Sequence, residues 1–299
     1  MELRVLRAFV EVVRQGGFTA AGKVIFSTQS TVTKAVKQLE EETGMQLILR
    51  IGHTVRLTEA GEVVYQRALA ILGERDLMLS ELAEFKGLRR GTLKIGLPTV
   101  GSSILFAPLF AEFRRDHPNI DIVLQEHGGD ELREMLLTRE IDLAAFLLPV
   151  EETFESQTVC NEPMMALLPH DHPLAVAGRP SIRLKELADS PMILFQNGFS
   201  LNQVIEDACR KRGFAPREAA RSTQPDFIVA LVAAGLGVAM LPRIVVNRSV
   251  YPAIHLALID ETDLRWRLGM VWRKGADLPY SAAAWLRLTE KFARKYAEE

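Results

Sequence analysis

Gln29, Ser30, Thr33, Lys34 and Lys37 stand close together in a stretch that reads as a helix. Ser30, Thr33, Lys34 and Lys37 then share one helical face, with Gln29 in the first turn. That collection suits a nucleic-acid duplex. A glutamine amide can hydrogen-bond an adenine edge, hydroxyls reach bases or phosphates, and ammonium groups neutralise phosphate charge. Val32, Ala35, Val36 and Leu39 fall at i, i+3, i+4 and i+7, so they form a stripe to be buried. Ser27 or Thr28 is placed to cap the helix. No carboxylate occurs between Ser27 and Glu40. An acid in the first turn would favour the helix through its macrodipole, and its absence leaves that end free to approach a phosphate. The same pattern also fits a helical hairpin whose polar side meets only water.

The neighbouring segments supply what would hold such a helix in place. Leu3, Leu6, Val10 and Val13 predict a first helix with an apolar stripe. Ala20 and Ala21, after Thr19 as a candidate cap, let a second helix approach closely. Residues 50–57 (RIGHTVRL) read as a hairpin with Gly52 and His53 at its tip and Val55 and Leu57 pointing inward. Arg50, His53 and Arg56 are then available to phosphates. Three helices and a basic hairpin make a winged helix-turn-helix.

With FTAAGKVIFSTQSTVTKAVKQLEEETG and VRLTEAG on the page, the chain resembles the LysR-type transcriptional regulators, over essentially its whole length. The resemblance implies that Thr28, Gln29, Ser30, Thr33, Lys34 and Lys37 are recognition-helix contacts and Arg50 a wing contact. Three positions depart from the family pattern. Ser30 stands where many members have proline, Ile48 replaces a usual phenylalanine, and His53 stands where a second arginine is common. A neutral imidazole at that place would add little to phosphate binding.

Composition bounds the rest. A chain of 299 residues, 48% hydrophobic and 25% charged, can hold two or three domains with real cores. The net charge of −2 does not advertise nucleic-acid binding, but residues 1–60 carry eight Lys/Arg against six Asp/Glu. A local excess suffices when it is concentrated on the contact face. The N-terminal MELRVLRAFVEVVR is not a secretory leader pattern, and no apolar run reaches the roughly 18 residues that span a bilayer. A cytoplasmic location is expected, with no membrane partner, and Cys160 and Cys209 reduced. These cysteines are too far apart in sequence to suggest the closely spaced redox pair of some relatives.

From Thr58 a proline-free helical stretch runs through Lys86. Val64, Ala68, Ile71, Arg75, Met78, Leu82 and Phe85 alternate spacings of four and three, as in a coiled-coil seam. Tyr65, Leu69, Leu72 and Leu79 form a second stripe. Self-association is expected; packing on the chain's own C-terminal part is the alternative. Arg75 in the seam would need a carboxylate such as Glu74 or Asp76, or would face outward. A symmetric pair could read two half-sites of an inverted repeat. The resemblance implies dimers through this helix, often tetramers, and makes RNA polymerase a further candidate partner.

Residues 87–91 (GLRRG) read as a hinge. Beyond them short apolar runs alternate with helical segments, implying an α/β region with a parallel sheet. The resemblance implies two lobes like those of type 2 periplasmic binding proteins. The expected organisation is a DNA-binding domain at 1–58, a linker helix at 59–88 and an effector-binding domain at 91–299. Within the last, lobe one would be 92–161 plus 267–299 and lobe two 162–266.

An effector would sit beyond the carboxyl ends of strands. Thr99, Ser102 and Ser103 in PTVGSS precede a helix and could bind a small anion, or simply cap. Gly128 could admit a ligand or make a turn. Phe195, Gln196, Asn197 and Thr223 are cleft residues by the resemblance. No Lys or Arg lies in these loops, so a small monoanion or neutral metabolite fits better than a dicarboxylate. Gly235–Gly237 (GLG) reads as helix termination rather than a nucleotide loop. His170 and His172 read as a surface loop rather than a metal site. No cofactor, metal or catalytic constellation is expected. A ligand-responsive DNA-binding regulator is the leading reading. The competitors are a solute sensor acting through protein contacts of its N-terminal bundle, and an enzyme with an appended dimerisation segment.

Overall fold

The computed structural model describes residues 1–51, 54–85, 91–246 and 254–298. The chain divides into two compact units, Met1–Leu88 with Leu137–Glu140, and Arg89–Leu136 with Ile141–Glu299.

In the first unit, helices α1 (Leu3–Arg14), α2 (Phe18–Val24) and α3 (Gln29–Thr43) precede an antiparallel pair, β1 (Ile48–Ile51) and β2 (Thr54–Leu57). Helix α4 (Glu59–Phe85) follows. Val32, Val36 and Leu39 of α3 are buried as their spacing requires. They meet α1 and, with Leu47, Ile48, Tyr65, Ala68 and Leu69, close one core. The stripe expected on α1 is corrected. Leu3 is 42% exposed, and the buried set is Val5, Leu6, Ala8, Phe9, Val10 and Val12. Helix α1 touches α2, α3 and α4, so it buries a face wider than one stripe. Thr19 does not cap α2, which begins at Phe18 after Gly17.

The LTEAG motif has a steric origin. The Thr58 hydroxyl donates to the Gln46 carbonyl at 2.7 Å and accepts from the Gly61 N–H at 2.9 Å. The Thr58 N–H donates to the Leu47 carbonyl at 3.0 Å. A side chain at position 61 would overlap that same Leu47 carbonyl. Helix α4 therefore starts in backbone contact with the segment that enters the wing.

The expected seam on α4 splits in two. Tyr65, Ala68 and Leu69 belong to the first unit's own core, whereas Ile71, Met78, Leu79 and Leu82 are 43–51% exposed. Arg75 pairs with Asp76 of the same helix at 2.9 Å. The Phe85 side chain and the expected hinge at 87–90 lie outside the described residues.

The second unit begins with a parallel set. Its elements are β3 (Gly91–Leu97), α5 (Ser102–Asp116), β4 (Ile120–Glu126), α6 (Gly129–Leu137) and β5 (Leu143–Leu147). Strand β3 pairs in parallel with both β4 and β5. Next comes β6 (Phe154–Pro169), followed by α7 (Pro173–Val176), β7 (Ser181–Ile182) and β8 (Pro191–Phe195). After these run α8 (Ser200–Lys211), β9 (Arg217–Ser222), α9 (Pro225–Ala233), β10 (Ala239–Pro242) and α10 (Arg243–Val246). The chain ends with β11 (Ile254–Ile259), β12 (Arg265–Arg273) and α11 (Tyr280–Glu298).

Strand β6 organises this unit. Its first part, through Pro163, pairs with β12, which also pairs with β5. From Met164 onward it pairs with β10 and β11. Two sheet regions therefore share one strand, with β12 alongside it at the change of partner. Glu162, 1% exposed, sits at that point. It accepts hydrogen bonds from Tyr296 Oη at 2.6 Å, the Ile244 N–H at 3.1 Å and Arg243 Nε at 3.3 Å. A buried carboxylate persists only with such compensation. Among the described residues, no helix is long and apolar enough to cross a membrane.

Gly61→Ala is expected to destabilise the first unit by roughly 1–3 kcal/mol through overpacking against Leu47. Urea denaturation followed by circular dichroism measures this, and Gly44→Ala, where nothing lies within 4 Å of a new Cβ, supplies the contrast of pure backbone strain.

Candidate nucleic-acid interface and effector cleft

Thr28, rather than Ser27, caps α3. Its Oγ1 accepts from the Thr31 N–H at 3.2 Å and lies 2.8 Å from Thr31 Oγ1. Gln29 Nε2 donates to Thr33 Oγ1 at 2.9 Å, so the amide is already steered along the helix face. Thr28, Gln29, Ser30, Lys34 and Lys37 are exposed and Thr33 half-buried. Lys37 leans toward Glu41 at 3.4 Å. No acid occupies the first turn of α3. The structure thus brings the six expected α3 contacts onto one solvent-facing surface.

The wing is tied to that surface by Glu40, whose Oε1 accepts from the Leu47 and Ile48 N–H groups at 2.8 and 3.2 Å. Sequence reading passed over Glu40; its place just past the last apolar position of α3 was the available signal. Arg50 and Arg56 are exposed. Arg50 is not a loose cation, for its guanidinium lies over the Phe18 ring, 4.3 Å from the centroid. Stacking leaves the planar fork of donors oriented while the ring supports it. His53 lies outside the described residues.

In the second unit a cleft is lined by the carboxyl ends of β3 and β4, by β5 and β12, and from the other side by the start of α8. Thr99 and Gly128 line it. Ser102 does not, because its buried hydroxyl donates to the Pro98 carbonyl. Ser103, Gln196, Asn197 and Thr223 are exposed outside the lining set. Phe195 is buried behind it, stacked on Phe199 with centroids 5.2 Å apart. The residues missed from sequence include His127, Phe146, Phe199, Ser200, Trp266 and Leu268. Trp266 reaches the cleft because β12 runs beside the shared strand, a crossover that no local pattern announces. Gly101, with φ +80°, accommodates its ring; a Cβ there would sit 2.6 Å from it.

Polar groups are few. Among the described residues, His127 is the only ionisable side chain in the lining, and its Nδ1 is held by Glu131 at 2.9 Å. The start of α6 closes on the start of α8: a Cβ at Gly129 would lie 2.9 Å from Ser200 Oγ.

Other sequence candidates resolve structurally. His172 Nδ1 accepts from the Leu174 N–H at 3.3 Å, and its Nε2 lies 3.0 Å from Ser190 Oγ. Gly235, with φ +79°, terminates α9. Cys160 and Cys209 are buried, and desolvation pushes their thiols up to about 12 and about 11. Neither supplies much thiolate at neutral pH.

Lys34→Ala is expected to weaken DNA binding across sequences and to flatten the log affinity–log salt slope by about 0.9. Gln29→Ala is expected to leave that slope unchanged while losing preference for one site by roughly 1–3 kcal/mol. Fluorescence anisotropy at several salt concentrations separates the two.

Residues 3–62 match the family described as "Bacterial regulatory helix-turn-helix protein, lysR family", and residues 86–293 match "LysR substrate binding domain". The chain is similar to the HTH-type transcriptional regulator YwbI of Bacillus subtilis, at 33% identity over 98% of this chain and 97% of that one. It is 30% identical to the transcriptional dual regulator GltC of the same organism, over 99% and 98%. Among solved structures, full-length OxyR of Pseudomonas aeruginosa matches with TM-score 0.80 and 26% identity, covering 97% of this chain and 94% of that chain.

Proposed function

The chain belongs to the LysR family of DNA-binding transcription regulators, and on that footing we propose how its residues divide the work. Residues 1–58 bind the operator, 59–88 join two copies, and 91–299 bind the effector. The effector-binding lobes are 92–161 plus 267–299, and 162–266. Thr28, Gln29, Ser30, Thr33, Lys34 and Lys37 enter the major groove, while Arg50 and Arg56 hold phosphates beside it and His53 adds little. One observation carries this reading: α3 buries Val32, Val36 and Leu39 and turns its hydroxyl, amide and lysine side outward. No reaction is proposed for the chain, and promoter DNA as its partner favours a cytoplasmic location. RNA polymerase is the partner through which a bound regulator would alter transcription.

The exposed row Ile71, Met78, Leu79 and Leu82 supports pairing of two copies through α4, with tetramers as pairs of such dimers. Two identical DNA-binding units then suit an inverted repeat, and one alone would bind weakly. The double substitution Met78→Glu, Leu82→Glu is expected to yield monomers by analytical ultracentrifugation and to reduce operator affinity at least tenfold. A native-sized oligomer would remove the α4 assignment.

The cleft supports an effector with an apolar body and one polar or singly negative end. Val100, Phe146, Leu147, Leu201, Trp266 and Leu268 would meet the body. Thr99, Ser200 and His127 Nε2 are the groups left to meet the head. Among the described residues lining the cleft there is no Lys or Arg to pair a second carboxylate, and Arg133 nearby is engaged by Glu151 at 2.7 Å. Effector binding shifts transcription only insofar as it favours one arrangement of the two sheet regions over another.

The test pairs DNA and ligand. DNA from upstream of the chain's own gene is expected to give a footprint with dyad symmetry. Isothermal titration is expected to show 4-methylpentanoate binding roughly tenfold more tightly than glutarate. Gly128→Trp, at a position where a Cβ meets only the Gly198 carbonyl at 3.8 Å, is expected to block both. Tighter glutarate binding that Gly128→Trp abolishes would keep the cleft and reject the ligand class. Binding indifferent to Gly128→Trp would reject the cleft.

A further inference from the structure

Helix α2 ends in an unusual way. The Ser27 N–H donates to the Gly22 carbonyl at 2.7 Å, and the Phe26 N–H to the Lys23 carbonyl at 3.4 Å. That is the bonding of a Schellman cap, whose left-handed residue is normally glycine or asparagine. Here the position holds Phe26, with φ +52°. A side chain with a Cβ pays for that conformation, and only external compensation or selection for another property retains it. Nor does the ring return anything to the fold, because Phe26 is 98% exposed. A phenylalanine is thus held out in water, in a strained conformation, two residues before Thr28.

The surroundings indicate what it meets. Thr28, Gln29 and Ser30 are exposed immediately after it, so the ring is continuous along the chain with the surface assigned to the operator. Lys23, three residues before it, is exposed as well and brings positive charge to the same turn. Nearby cations and polar readers favour a duplex over an apolar protein partner. An aromatic ring can pack on a deoxyribose or a thymine methyl over a larger apolar area than the neighbouring Ser27 and Thr28 offer.

We propose that Phe26 is a DNA-contacting residue, its ring packed on deoxyribose and a thymine methyl at the edge of each half-site. The inference rests on α3 being the recognition helix. It adds to that reading an apolar contact contributed from outside the helix. Such a contact releases no counterions, so it raises affinity without steepening the salt dependence.

The experiment uses the full chain and the footprinted upstream duplex. Phe26→Asn and Phe26→Gly suit the left-handed position, so both are expected to raise Tm by roughly 3 °C. Both are expected to lower operator affinity roughly tenfold with the salt slope unchanged. Stability and binding thus move in opposite directions, which a merely structural residue would not produce. Phe26→Leu should recover part of the affinity. Gln29→Ala serves as the reference. Reduced affinity for Gln29→Ala with none for the Phe26 variants overturns the Phe26 contact and leaves the recognition helix standing. Unchanged affinity in every variant overturns both. A loss that follows dissociation of the oligomer in ultracentrifugation assigns the ring to a contact between copies, and overturns the contact with DNA.

Discussion

Burial of Val32, Val36 and Leu39 is the constraint on which the DNA-binding unit depends. Each fully buried aliphatic side chain contributes roughly 1.5–3 kcal/mol. Together they fix how far α3 is rotated about its own axis. Once that rotation is set, the helical repeat alone turns Ser30, Lys34 and Lys37 outward. The amide of Gln29 and the hydroxyl of Thr33 then bind each other, which leaves fewer side-chain states to be lost on meeting a duplex. Glu40 extends the same rigidity to the wing by accepting two backbone N–H groups. Rotation, side-chain order and wing position are consequences of a single packed face.

The effector region depends on a different economy. One strand, β6, serves two sheet regions, so neither can move without working against a shared backbone. The buried Glu162 gathers a phenol from α11 and donors from the start of α10 at the same place. Gly129, facing Ser200, marks how near the starts of α6 and α8 come at the cleft.

Local patterns made much of this legible before any coordinates. The period of α3 located its buried stripe, and turn residues located the wing. Alternation of apolar runs with helices marked β3, α5, β4, α6 and β5 in order. The failures have physical causes. Helix α1 has neighbours on several sides, so its buried face is wider than a single stripe and Leu3 falls outside it. The seam of α4 is uniform in sequence but divided in space, because its first turns complete a core while later ones remain exposed. Strand β9 (REAARS) carries no alternation and was invisible. For the cleft, chain-local reasoning located Thr99 and Gly128 but could not assemble His127, Ser200 and Trp266, which come from three separated segments. Of the two uses open to the Ser102 hydroxyl, ligand or backbone, the fold takes the second, with the hydroxyl donating to the Pro98 carbonyl at the first turn of α5.

The bare Cα of Gly61 has a mechanical meaning. Where a side chain would act as a cushion, the Leu47 carbonyl instead rests directly on the first turn of α4. Helix and wing root are thereby coupled like a crank and its arm, without free play. A twist of α4 about its long axis would reach β1 and β2 through this backbone contact, and α3 through Glu40. With wing and α3 docked on a duplex as proposed, the grip would then loosen from the wing inward.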